Sequence, residues 1–95
     1  MTNDELSESI AKLLPLEYED THVTYGLVKP YATSWGLLMP LVAEHSLKFE
    51  TFYRGKHFLV RMVSKDNRFV ITQRADTLER ALAECLYEIL EYEND

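Results

Sequence analysis

The residues best suited to chemistry lie between positions 48 and 74. Lys48, Phe52, Arg54, His57, Leu59, Arg61, Val63, Arg68 and Arg74 alternate with a second set of side chains along three short segments. A period of two places alternate side chains on one face of a pleated strand. Cationic and apolar groups interleaved on one face can hold an anionic ligand with flat rings, such as a nucleotide-like molecule or single-stranded nucleic acid, because cations meet phosphates while apolar groups stack on bases. Arg54, His57, Arg61 and Arg74 are the candidate contacts. The same pattern has a purely structural explanation. If the first helix covers this face, Phe52, Leu59, Val63 and Val70 become a second core and the cations pair with acids around its rim.

Other chemistries lack their residues. His22, His45 and His57 fall in different elements without metal-ligand spacing, and there is no HExxH or Cys/His cluster. No metal, cofactor or catalytic residue is expected. Cys85 sits within an apolar helical stripe, where a thiol behaves as a small hydrophobe. Ser7, Ser9, Ser34, Ser46 and Ser64 form no GxSxG elbow, and Gly26, Gly36 and Gly55 are too scattered for a phosphate-cradling loop. Glu84, Glu88 and Glu91 recur at helical spacing and read as a solvated face or an acidic surface for a partner, not as a general acid and base. Tyr18, Tyr25, Tyr31 and Trp35 gather near one poorly patterned segment. The three tyrosines are candidate partner contacts, while Tyr31 and Trp35 at helical spacing also suit core packing.

These residues need elements to position them. Thr2 with Glu5 has capping-box spacing, and Leu6, Ile10, Leu13 and Leu14 share one face, so a helix is expected over 3–14, ended by Pro15. Alternation at Val23, Tyr25 and Leu27 suggests an additional edge strand within 16–29. Pro30 keeps Lys29 out of helical geometry, Thr33 or Ser34 can cap a second helix, and Trp35, Leu38, Met39 and Val42 fall on one side. Pro40 predicts a kink or a short, irregular helix. "LKFETFYR", "KHFLVRMVS" and "RFVITQR" alternate with period two around Gly55 and "KDN", which predicts a three-stranded antiparallel meander with Leu47, Phe49, Phe58, Val60, Met62, Phe69 and Ile71 toward one core. Asp76 with Glu79 marks the start of a last helix over about 77–92, whose stripe is Leu78, Ala81, Leu82, Cys85, Leu86 and Ile89. Its acidic end predicts fraying or basic partners nearby. The expected fold is α+β, order α-(β)-α-β-β-β-α, packed as an α/β/α sandwich in one domain over residues 1–95.

Composition narrows the classes. In 95 residues, 46% are hydrophobic and 27% charged, which is ordinary globular usage. A chain this short buries a modest core, so a homo-oligomer is expected. One cysteine excludes an internal disulfide and fits a reducing cytoplasm. The apolar runs are too short to span a bilayer, and the start "MTNDELSESI" is acidic where a signal peptide is basic. The net charge of -6 is segregated: residues 1–20 hold six acids against Lys12, residues 76–95 hold seven against Arg80, and residues 21–75 hold eight bases against three acids. Acidic helices neutralising a basic sheet explain this, as do exposed patches for partners of opposite charge. Overall acidity argues against general duplex DNA binding.

The block "KPYATSW" opening a helix, then an aromatic-rich meander and "ADTLERALAECLYEIL", resembles small phage-encoded ABA-sandwich domains over about residues 29–91. Pro40 and Gly36 depart from the regular helix of that family. The resemblance implies helices covering a sheet and a bacteriophage or prophage context, and it transfers no catalytic residue. The expected function is non-enzymatic: an accessory protein that binds a partner, such as a host defence protein whose basic groove the acidic surfaces occupy. The alternative is a module for an anionic nucleotide-like molecule on the basic sheet face.

Overall fold

The computed structural model of the chain describes residues 1–14, 23–24 and 27–94. In chain order the elements are α1 (Asn3–Leu13), β1 (Val23–Thr24), β2 (Leu27–Val28), α2 (Trp35–His45), β3 (Ser46–Arg54), β4 (His57–Ser64), β5 (Val70–Ala75) and α3 (Leu78–Glu93). The α+β class, the element order and the meander agree with the expectation: β3, β4 and β5 form one antiparallel sheet in that order. The expected edge strand is different. β1 and β2 pair only with each other, Val23 opposite Val28 and Thr24 opposite Leu27, as a separate two-stranded ribbon. With two residues each, they are too short to extend a sheet whose strands run six to nine residues.

Turn chemistry sets the sheet's register. Gly55 has φ +61°, and the loop between Arg54 and His57 is two residues long. Glycine takes this left-handed conformation without steric cost at the first central position of a tight hairpin. Once Arg54 faces His57, Phe52 must face Leu59, Glu50 Arg61 and Phe49 Met62. The next turn is held by Asp66. Its Oδ1 accepts from the Ser64 hydroxyl at 2.6 Å and from the Arg68 N–H at 3.0 Å, and Asn67 takes φ 62°, a conformation asparagine tolerates better than most residues.

α3 is the middle of the molecule. It packs on β4 and β5 with one side and receives α1 and α2 on others, so its buried set of Ala81, Leu82, Ala83, Cys85, Leu86, Ile89 and Leu90 is wider than a single stripe. Leu82, Leu86, Ile89 and Leu90 join Leu6, Ile10, Leu38, Val42, Val60 and Met62 in one core; each such aliphatic side chain contributes about 1.5 to 3 kcal/mol by leaving water. The helix starts at Thr77, whose hydroxyl accepts from the Arg80 N–H at 3.2 Å. Asp76, the expected cap, stands one residue outside. At the other end, the Asn94 side chain donates to the Leu90 carbonyl at 2.7 Å and His45 Nδ1 lies 2.9 Å from Glu93; both relieve the negative helix end.

α1 begins with the expected capping box of Thr2 and Glu5. It lies against α3 and β2, not on the free face of the sheet. The layers are therefore sheet, α3, then α1, where the sandwich reading put helices on both sheet faces. α1 also carries a buried serine: Ser7 Oγ accepts from the Ala32 N–H at 2.9 Å, which seats the "KPYAT" turn against it. Ser34 caps α2 by accepting from Leu37 N–H at 3.4 Å. Pro40 sits inside an eleven-residue helix. It offers no N–H to the carbonyl of Gly36, four residues back, but Gly36 is in the exposed first turn, where water can serve that carbonyl.

Two expected core residues are exposed. Trp35, the first residue of α2, is 43% exposed, while Leu38, Leu41 and Val42, one and two turns further on, are buried. Leu47, at the register shift between Ser46 and Lys48, is 52% exposed and lines an open cleft together with Met39 and Phe49.

Candidate functional site

The face of the sheet opposite α3 follows from the register. Along β3 it carries Lys48, Glu50, Phe52 and Arg54, along β4 His57, Leu59, Arg61 and Val63, and along β5 Val70, Thr72 and Arg74. The pairing arranges them in rows across the strands: Lys48, Val63, Val70; Glu50, Arg61, Thr72; Phe52, Leu59, Arg74; and Arg54 beside His57. The second-core explanation of this face fails. α1 is committed to α3, and Phe52 and Val70 remain 48% and 47% exposed. Val63 is buried, but outside the main core cluster.

Charge on this face is also arranged otherwise than by neutralisation from the acidic helices. Arg61 Nη1 lies 3.6 Å from Glu50 Oε1 on the neighbouring strand, both about half exposed. Lys48, Arg54 and Arg74 have no ion pair among the described residues. Four cations thus share the face with one carboxylate. Among the described residues, no Arg or Lys of the central segment 21–75 is paired with a carboxylate of either acidic end; the two pairs that cross are those of histidines, His45 with Glu93 and His57 with Asp76.

His57 closes one end of the face. Its Nδ1 lies 3.0 Å from Asp76 Oδ1, and both side chains are well exposed. His57 and Arg74 also open into a cleft of about 590 Å³ completed by Asp76, Thr77, Arg80 and Met1. Arg80 is fully engaged there. It donates to Glu84 at 2.9 Å, to Asn3 Oδ1 at 2.7 Å and to the Met1 carbonyl, which joins the start of α1 to α3. Its role is to hold two helices together.

Of the other candidate residues, Tyr31 is 4% exposed and lies in the core, so it is not a surface contact; burial raises its phenol pKa. Tyr18 and Tyr25 lie outside the described residues. Glu84 is held by Arg80, Glu88 is half-buried and Glu91 is exposed on α3. Burial pushes the Cys85 thiol up to about 12, and its Sγ donates to the Val60 carbonyl at 3.4 Å, as suits a packed thiol. Among the described residues no group of three or more His, Cys, Asp or Glu is placed to hold a metal ion, and no helix is long and apolar enough to cross a membrane.

Sequence reasoning missed the Glu50–Arg61 and His57–Asp76 pairs. The first was legible in principle: a two-residue turn at Gly55–Lys56 makes the numbers of facing residues sum to 111, which puts Glu50 opposite Arg61. The second depends on Asp76 being released from capping by Thr77. Compared with models of known protein families, with curated proteins and with solved structures, the chain matches none.

Proposed function

We propose that the protein acts by binding, without catalysis, and that its contact surface is the open face of the β3–β4–β5 sheet, which takes an anionic partner. The observation that carries this reading is the exposure of Phe52 and Val70 among four cations, three of them unpaired among the described residues. Phe52 and Val70 set apolar surface beside those charges, the mixture that a charged, flat-ringed partner can use. The acidic helices lie on the far side of the sheet, on the order of 10 Å away, beyond the roughly 8 Å screening length at physiological salt. They therefore weaken the positive potential of this face little. The test is retention on an immobilised polyanion such as heparin at pH 7, where a net charge of -6 alone predicts none. Retention at about 0.15 M salt, where the acidic helices are screened, that is lost in the Arg54→Ala/Arg74→Ala variant supports the reading, and passage without retention overturns it.

A second reading keeps the acidic side as the docking surface, with a basic groove on a host protein as target, in the bacteriophage context that the resemblance of residues 29–91 implies. It is favoured by Glu88 and Glu91, which have no cationic partner among the described residues. Association of that kind is steered by charge. Loss of a purified partner's binding in the Glu88→Gln/Glu91→Gln variant, with heparin retention unchanged, would select it over the first.

A further inference from the structure

Resting on the first reading above, we infer that the partner of the open sheet face is single-stranded nucleic acid, a base stacking on Phe52 while Arg54 and Arg74 hold the phosphates on either side. The placement follows from the register. Arg54 lies two residues along β3 from Phe52, roughly 7 Å, and Arg74 lies two strands across in the same row, roughly 10 Å. Leu59 sits between Phe52 and Arg74 and gives the row an apolar floor. Nearly half of Phe52 is exposed, so the ring offers a face to a base. Stacking of this kind tolerates any base.

Other anionic partners use the face less well. An acidic peptide would meet the guanidinium groups but brings nothing flat to Phe52. Duplex DNA needs many neutralised phosphates and an element that enters a groove, whereas this face is a shallow sheet with three cations unpaired among the described residues, on a chain of net charge -6. Lys48 stands at the far end of the same face and can take a further phosphate, while Arg61 is already engaged by Glu50.

Three cations that each neutralise a phosphate and release its counterion predict a slope of log affinity against log salt of about -2 for a single strand, a loss of about 20-fold between 50 and 200 mM. The experiment is fluorescence anisotropy of a labelled deoxythymidine 15-mer with the full chain, alongside an unlabelled duplex of equal length and polyglutamate as competitors. Arg74→Ala is expected to make the slope shallower by about 0.7. Phe52→Ala is expected to weaken binding about ten- to hundredfold with the slope unchanged, and Phe52→Trp to restore it. Absence of binding at 50 mM salt, affinity indifferent to Phe52→Ala, or competition by duplex or polyglutamate as strong as by the single strand would each overturn the inference. If that happens while heparin retention persists and still depends on Arg54 and Arg74, the broader reading stands; if retention is absent too, both fall.

Discussion

The Tyr92 hydroxyl donates to Asp66 Oδ2 at 2.7 Å, tying the last turn of α3 to the turn between β4 and β5. The Tyr92 ring stacks on Phe69 at 4.8 Å between centroids. Asp66 is thereby the hub of its turn, with the Ser64 hydroxyl, the Tyr92 hydroxyl and the Arg68 N–H all donating to it and holding its carboxyl below the usual aspartate range.

That arrangement has a pH signature. Because folding lowers the pKa of Asp66, the unfolded chain takes up this proton first as pH falls. Its contribution is full above the ordinary aspartate value of 3.8 and is lost as pH drops through the lower folded value. Asp66→Asn should melt below the parent protein at pH 7, and thermal unfolding should find the gap narrowing as pH falls below the ordinary aspartate value of 3.8. A gap constant across that range would contradict the assignment.

Gly55 and Gly36 should respond in opposite senses to alanine. Gly55→Ala forces a side chain into the left-handed region at φ +61° and is expected to cost about 1 to 2 kcal/mol. A Cβ on Gly36 would meet only Ser34 Oγ at 4.0 Å, so Gly36→Ala should stabilise by about 0.5 kcal/mol. Urea denaturation measures both.

Capping of α3 by Thr77 predicts that Thr77→Ala costs about 1 kcal/mol. Asp76→Ala should cost no more than a few tenths, the share of a carboxylate near a helix N-terminus. The reverse order would return the cap to Asp76.

The two faces of the sheet and its covering helix should separate cleanly in stability. Leu86→Ala, fully buried in α3, is expected to lose about 2 to 5 kcal/mol. Phe52→Ala on the open face should lose under about 1 kcal/mol, which leaves that variant folded for binding measurements.

Cys85 should be inert in the folded state. Its buried thiol, pushed up to about 12, holds almost no thiolate at pH 8. Reaction with a thiol reagent is expected only after denaturant is added, and fast labelling of the native protein would show that the core opens.

Much of this architecture was written in local pattern. Alternation around Gly55 and "KDN" marks three strands and two turns, because pleating forces side chains to opposite faces and only a few residue types fit such turns. Capping residues and apolar spacing place the first and last helices within a residue of their observed bounds and the start of the second at Ser34. The partition of the strands into two faces, and hence the membership of Lys48, Phe52, Arg54, His57, Arg61 and Arg74 in one candidate site, follows from the same period.

Where the helices dock could not be read that way. The apolar stripe of α1 fits a sheet or another helix equally well, and its choice of α3, helped by Ser7 binding the Ala32 N–H and by Arg80 reaching Asn3 and Met1, leaves one sheet face uncovered. Periodicity records that a face is apolar without recording what covers it. For the same reason, Trp35 could pass for core and the double burial of α3 could not be seen. The exposure of Phe52 is a consequence of that docking, and with it the difference between a second core and a binding surface.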